Sequence, residues 1–239
     1  MIELKGITKY YNSHPACVDI NLTVPDGAIF AYLGPNGAGK TTTLKITAGI
    51  LYPTAGKVFI EGIDLIKEPS KAKQYIAYIP DTPYMYPQLT GREFLYFVGR
   101  VYGMTKAEIE KKTEAVVEKL RIGDWVDEPA SNYSHGMRQR VIFAASFIHS
   151  PKILIVDEPM VGLDPKGIKT VKDLLREHKR QGGSVLMSTH TLPLAQELAT
   201  HIGIIHKGRI VLQGPVEQIP DLISEDIESF YLRITGGEE

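Results

Sequence analysis

The run Ala28-Ile29-Phe30-Ala31-Tyr32-Leu33 leads directly into Gly34-Pro35-Asn36-Gly37-Ala38-Gly39-Lys40-Thr41, and this junction constrains the fold more than any other feature. A nearly unbroken apolar run has the pattern of a strand covered on both faces. The glycines that follow let backbone N–H groups turn inward around an oxyanion, and the stretch from Thr41 to Ile50 can continue as a helix. Strand, glycine loop and helix, in that order, is the context in which Gly-x-x-x-x-Gly-Lys-Thr binds phosphate. Lys40 is expected to reach the β- and γ-phosphates of a nucleotide, the Thr41 hydroxyl to ligate Mg²⁺, and Thr42 to complete the phosphate-contacting set. The competing explanation, a glycine-rich turn with a surface lysine, does not account for the flanking strand and helix.

A second motif, Lys152-Ile153-Leu154-Ile155-Val156-Asp157-Glu158-Pro159, ends an apolar strand in two acids. That places them at the carboxyl edge of a sheet, where open α/β folds bind ligands. Asp157 fits the carboxylate on the Mg²⁺ side, and Glu158 is placed to polarise an attacking water. An Asp-Glu pair alone is often only a solvated strand end. Beside an intact phosphate loop that explanation weakens.

Between these motifs the pattern changes. Val18, Ile20, Leu22 and Val24 alternate with polar residues as in a half-buried strand, and Pro25-Asp26-Gly27 signals a turn. From Leu89 to His149 the apolar spacing becomes helical. Thr105 and Glu108 form a capping box ahead of a face made by Ile109, Thr113, Val116, Val117 and Leu120. Gly123 and Pro129 break the pattern, and a further helix is expected over Met137 to His149. Strands are expected at Ile153 to Val156 and Ser184 to Ser188, with a helix at Gly167 to Gln181 between them. A hairpin of Ile202–Ile205 and Ile210–Leu212 should close around Lys207-Gly208. The organisation is an α/β core over 1–81 and 151–225, a helical insertion over about 82–150, and a short tail at 226–239.

Composition sets outer limits. A net charge of -1 supplies no bulk attraction to nucleic acid or acidic lipid, and no direct nucleic-acid partner is expected. One cysteine, Cys17, builds neither an internal disulfide nor a zinc site based on cysteine pairs, and suits a reducing cytoplasm. No stretch approaches the roughly 20 apolar residues of a membrane span. The start, Met1-Ile2-Glu3-Leu4-Lys5, lacks the apolar core of a signal peptide. If the chain works at a membrane, a separate chain must supply the spanning helices.

Taken together, these motifs resemble the ATPase subunits of ABC transporters, along nearly the whole chain. Tyr133-Ser134-His135-Gly136-Met137-Arg138-Gln139-Arg140 is similar to that family's signature motif and opens an expected helix, where Ser134 and Gly136 form an anion site. The resemblance implies a P-loop NTPase core with an antiparallel β subdomain and an inserted helical subdomain. It also implies ATP and Mg²⁺ as ligands, and a homo- or heterodimer paired head to tail. ATP would lie between the phosphate loop of one subunit and Ser134 and Gly136 of the other, with Asp164 in a loop that meets the opposite subunit. It further implies that His190 contacts the γ-phosphate and that Tyr11 stacks on adenine, with Tyr10 an available substitute. A transmembrane permease on another chain would place the ATPase on the cytoplasmic face of the membrane.

The signature's third position is His135, where glycine is commonest, while Gly136 is retained. Asp81, in Ile79-Pro80-Asp81, stands where the family places a glutamine that reaches Mg²⁺; a carboxylate oxygen still suits that hard cation. Tyr84, Met85 and Tyr86 are either anchors for the membrane partner or core of the helical insertion. The segments from Tyr84 to Gly103 and from Ser229 to Gly237 look most like subunits of ABC-2-type transporters, commonly exporters. The alternatives are a soluble ABC-type ATPase not coupled to transport and an inactive scaffold subunit. Lys40 and Asp157 lie too close in sequence to admit a long coiled-coil arm, and Glu158 and His190 argue against an inactive chain.

Overall fold

Phe30 and Tyr32 are buried in one hydrophobic cluster, and Ile29, Ala31 and Leu33 in another. Their strand, β3 (Ile29–Leu33), is therefore covered on both faces, as its apolar run requires. A computed structural model describes residues 1–219 together with Tyr231 and Arg233; the tail at 226–239, and with it the Ser229 to Gly237 segment, lies outside the described residues apart from those two.

Two sheets form around β3. The first is antiparallel, in the order β2-β1-β4-β5, from β1 (Ile2–Tyr11), β2 (His14–Val24), β4 (Ala55–Ile60) and β5 (Ile63–Asp64). The second has the order β10-β9-β3-β8-β7-β6, from β6 (Ile76–Ile79), β7 (Ile153–Asp157), β8 (Ser184–Thr189), β9 (His201–His206) and β10 (Arg209–Pro215). Its pairs are parallel except β9 with β10. The antiparallel sheet and helix α1 (Lys40–Thr47) share a core with one face of the second sheet.

The other face carries the helical region. Helices α3 (Gly91–Val101), α4 (Lys106–Leu120) and α5 (His135–Phe147) fall between β6 and β7, after the short α2 (Pro69–Lys73). Leu95, Leu120 and Val126 join Leu154, Val156 and Val185 in one continuous apolar cluster. Helix α6 (Pro165–Arg180) and the short α7 (Leu192–Leu198) complete that layer. Among the described residues, no helix is long and apolar enough to cross a membrane.

Helix boundaries shift where caps act. Helix α1 stops at Thr47 rather than Ile50, because Gly49 at φ 66 begins a Schellman turn. In it Gly49 N–H donates to Ile46 O at 3.0 Å and Ile50 N–H to Lys45 O at 2.9 Å. Helix α5 starts two residues early, at His135, because the Ser134 hydroxyl accepts the Met137 N–H at 3.2 Å. Both expected features of α4 are present, the Thr105/Glu108 box and the buried face of Ile109, Thr113, Val116, Val117 and Leu120. Thr90 and Glu93 form a second box on α3. Met85 is buried at 4% exposure, whereas Tyr84 is exposed at 70% and Tyr86 at 47%, so the aromatic segment divides between core and surface.

Candidate nucleotide site

Sheet register assembles the site. Asp157 pairs with Ser188, Leu33 with Thr189, and Ile79 with Val156. Strands β3, β6, β7 and β8 therefore end level at their carboxyl edge, and Gly34, Asp81, Glu158 and His190 follow just beyond it. A cavity of about 240 Å³ lies there, lined by Ala16, Asn36, Gly37, Gly39, Lys40, Thr41, Thr42, Asp81 and Glu158.

Gly39 fixes the loop's form. Its φ is 106, and a Cβ at this position would overlap the Ala16 carbonyl oxygen. Because Gly39 offers no side-chain cap, the first N–H groups of α1 are left for an anion. The turn between β9 and β10 supports the loop from behind. Lys207 and Gly208 both have positive φ, as a two-residue hairpin turn requires; Gly208 N–H donates to Ala38 O at 3.1 Å and accepts Val18 N–H on its carbonyl at 2.8 Å.

Lys40 is buried and donates from Nζ to the carbonyls of Gly34 at 2.7 Å and Pro35 at 3.2 Å. The same Nζ lies 3.9 Å from Glu158 Oε1. Burial pulls the Lys40 ammonium below the usual lysine range, and the carboxylates of Glu158 and Asp157 oppose that pull.

The acidic pair depends on a residue that the sequence did not single out for a role. Ser188, wholly buried, donates its hydroxyl to Asp157 Oδ1 and accepts the Glu158 N–H at 3.1 Å. Glu158 occupies the left-handed region at φ 48, and its Oε1 lies 2.9 Å from His190 Nδ1, placed to accept a hydrogen bond from that nitrogen. Among the described residues, the buried Asp157 Oδ2 has no hydrogen-bond partner. An orphaned carboxylate oxygen behind a cavity bordered by Thr41 and Asp81 fits Mg²⁺, which takes few protein oxygens and completes its shell with phosphate and water. Tyr78 adds a second unpartnered buried oxygen nearby; its phenol is raised by burial, and further by Asp157 and Asp81.

The remaining expected residues sit elsewhere. Tyr10 and Tyr11, at the end of β1, are both exposed and do not line the cavity, though Ala16 of the adjoining strand does. Lys9 Nζ stands 5.6 Å from the Tyr11 ring centre. Ser134 and Gly136 lie at the N-terminus of α5, and the Asp164 carboxylate caps α6 by accepting Gly167 N–H at 2.9 Å.

A phosphate-binding loop between β3 and α1, with an Asp-Glu pair at the end of β7 one strand beyond the adjacent β8, defines a P-loop nucleotide hydrolase. Residues 17–161 match the family described as ABC transporter. The chain is 34% identical over its whole length to the ABC transporter ATP-binding protein YhcH of Bacillus subtilis (strain 168), covering 77% of that protein. It is also 34% identical to the daunorubicin/doxorubicin resistance ATP-binding protein DrrA of Streptomyces peucetius, over 95% of this chain and 68% of that one. A solved structure described as the ATP binding subunit of an ABC transporter superposes with a TM-score of 0.92 at 31% identity, covering 98% of this chain and 99% of that one. The chain belongs to the ABC transporter ATP-binding family, whose members bind ATP with Mg²⁺ and hydrolyse it.

Proposed function

We propose that this ATPase drives a membrane permease carried on a separate chain, and that two ATPase subunits pair head to tail around two ATP molecules. One observation carries the catalytic part. Lys40, Glu158 and His190 converge, with Glu158 Oε1 3.9 Å from the Lys40 ammonium and 2.9 Å from His190 Nδ1. Gly34 to Thr42 hold the phosphates, with Lys40 turning from its carbonyl partners to the β- and γ-oxygens. Glu158 takes the proton of the attacking water, and His190 orients its carboxylate and meets the γ-phosphate. Thr41, Asp81 and Asp157 hold Mg²⁺, which when bound neutralises charge on the phosphate oxygens. Tyr11 supplies the adenine stack, and Ser134, Gly136 and Asp164 face the second subunit.

The placement of α3 to α5 between β6 and β7 supports a core of 1–81 and 151–225 with an insertion over about 82–150. On that insertion Tyr84, Tyr86 and Phe97 form an exposed aromatic cluster, with ring centres 5.8 Å and 6.1 Å apart. We assign this patch to the permease, which would hold the ATPase at the cytoplasmic face of the membrane. Outward transport is supported by the likeness to a drug-resistance subunit.

Glu158→Gln tests the reading. Turnover should fall by roughly 10²-fold or more while ATP stays bound, and the ATP-loaded variant should run as a dimer in size-exclusion chromatography. Wild-type turnover would remove Glu158 as the base, and a monomer in ATP would remove the paired site.

A further inference from the structure

Strand β7 has a neighbour on each side of Asp157. On β8, the register partner Ser188 takes Oδ1 and leaves Oδ2 over. On β6, Tyr78 pairs with Ile155, two positions before Asp157. Tyr78 and Ile155 pack in the cluster that the sheet shares with α1. Asp157, two positions on from Ile155, leaves β7 on that same face. A diagonal neighbour of this kind lies about 7–8 Å away, within reach of an aromatic side chain. The Tyr78 hydroxyl is therefore directed toward the acid from the side opposite Ser188.

Among the described residues, that hydroxyl is buried with no hydrogen-bond partner, as is Asp157 Oδ2. A donor and an acceptor thus stand close together without pairing. Buried polar groups left so are uncommon, and each calls for a reason. Burial, and after it the Asp157 and Asp81 carboxylates, raise the Tyr78 phenol. It therefore keeps its proton, and can donate to a carboxylate while accepting from a water.

We propose that Tyr78 is a positioning residue for Mg²⁺: its hydroxyl steadies the Asp157 carboxylate and accepts a hydrogen bond from the metal's water shell. Mg²⁺ keeps several waters, and these need acceptors beyond its own ligands. The proposal rests on the assignment of Thr41, Asp81 and Asp157 to the metal and deepens it. A hydroxyl that serves the fold costs stability when it is removed. One whose partner comes with the metal costs metal affinity instead, and leaves the melting point of the nucleotide-free chain alone.

The test compares Tyr78→Phe, Tyr32→Phe and Asp81→Ala in the full chain. Tyr32 is the control: its buried phenol oxygen is also unpartnered among the described residues and belongs to the same cluster, but no carboxylate shifts it. The readouts are thermal melting without nucleotide or metal, ADP affinity by direct titration in EDTA, and Mn²⁺ affinity of the ADP complex by electron paramagnetic resonance. Tyr78→Phe should melt no more than about 2 °C below wild type, because no partner is stranded. Its ADP affinity in EDTA should stay within about twofold, while Mn²⁺ affinity falls about threefold or more. Tyr32→Phe should leave Mn²⁺ affinity unchanged. Unchanged Mn²⁺ affinity in Tyr78→Phe, an equal loss in Tyr32→Phe, or a larger fall in the melting point of Tyr78→Phe would overturn the proposal. Asp81→Ala separates the two ideas. If it weakens Mn²⁺ binding while Tyr78→Phe does not, the metal site stands and Tyr78 drops out of it. If neither variant weakens it, the metal assignment falls as well.

Discussion

Replacing Ser188 by alanine removes one hydroxyl and strands two groups. Asp157 loses the donor on Oδ1 in a position with 0% exposure, where Oδ2 already has no partner. The Glu158 N–H loses its acceptor. A hydrogen bond to a charged group contributes about 1.5–3 kcal/mol, and an orphaned buried N–H costs about 1–3 kcal/mol. Water reaching the cavity side would recover part of the sum, which leaves about 3 kcal/mol. In a chain of this size that is a fall in Tm of about 6–12 °C. Ser146→Ala is the matched control, because that buried hydroxyl donates only to the Ile142 carbonyl of its own helix, at 2.8 Å, and should change stability by less than about 1 kcal/mol. Melting followed by circular dichroism without nucleotide gives both values. Ser188→Ala melting within about 2 °C of Ser146→Ala would refute the view that Ser188 holds the acidic pair. Turnover should fall as well, since the backbone of Glu158 is freed.

Three further outcomes follow from the geometry. Lys40→Ala should weaken ATP binding at least about tenfold, through loss of a charge-assisted contact; unchanged affinity by titration would contradict the phosphate assignment. Asp81→Ala should raise the Mg²⁺ concentration for half-maximal hydrolysis about threefold or more, and an unaltered metal dependence would remove Asp81 from the metal site. His149 is stacked on Tyr102 at 3.6 Å, and burial pushes its pKa down to about 4 from an ordinary 6.5. The native state keeps it neutral while the unfolded chain protonates it, so its contribution is intact above pH 6.5 and is lost as pH falls toward 4. Allowing for partial solvent access, wild type should lose about 1 kcal/mol from this group between pH 7 and pH 5. His149→Gln should lose correspondingly less, as read from urea midpoints; an identical pH dependence would reject the cause.

The phosphate loop and the Asp157-Glu158 pair were legible because each couples an apolar run to residues with few other uses in that order. Their meeting also followed, since parallel strands deliver their carboxyl ends to one edge. Ser188 was not legible. A serine within an apolar strand has no periodic signature, and its importance arises only from the register that sets it beside Asp157. The same holds for Tyr102 and His149, which are distant in sequence and meet face to face just past the ends of α3 and α5. Helix ends moved for reasons written locally, in Gly49 and Ser134, but their expression depended on backbone geometry. Met85 and Tyr84 look equivalent in sequence, and only packing sends one inward and the other to the surface.

Glu158 at φ 48 brings stability and activity into opposition at one position. A glutamate held in the left-handed region costs about 1–2 kcal/mol that glycine would largely avoid. Glycine would keep the N–H that Ser188 accepts and discard the carboxylate. With Glu158 as the proposed base, a library screened for heat resistance alone would drift toward glycine or asparagine at 158 and accumulate chains that melt later and no longer turn over ATP. Only a screen that demands hydrolysis would keep the glutamate, which makes position 158 a sensitive marker of what a population of these proteins has been selected to do.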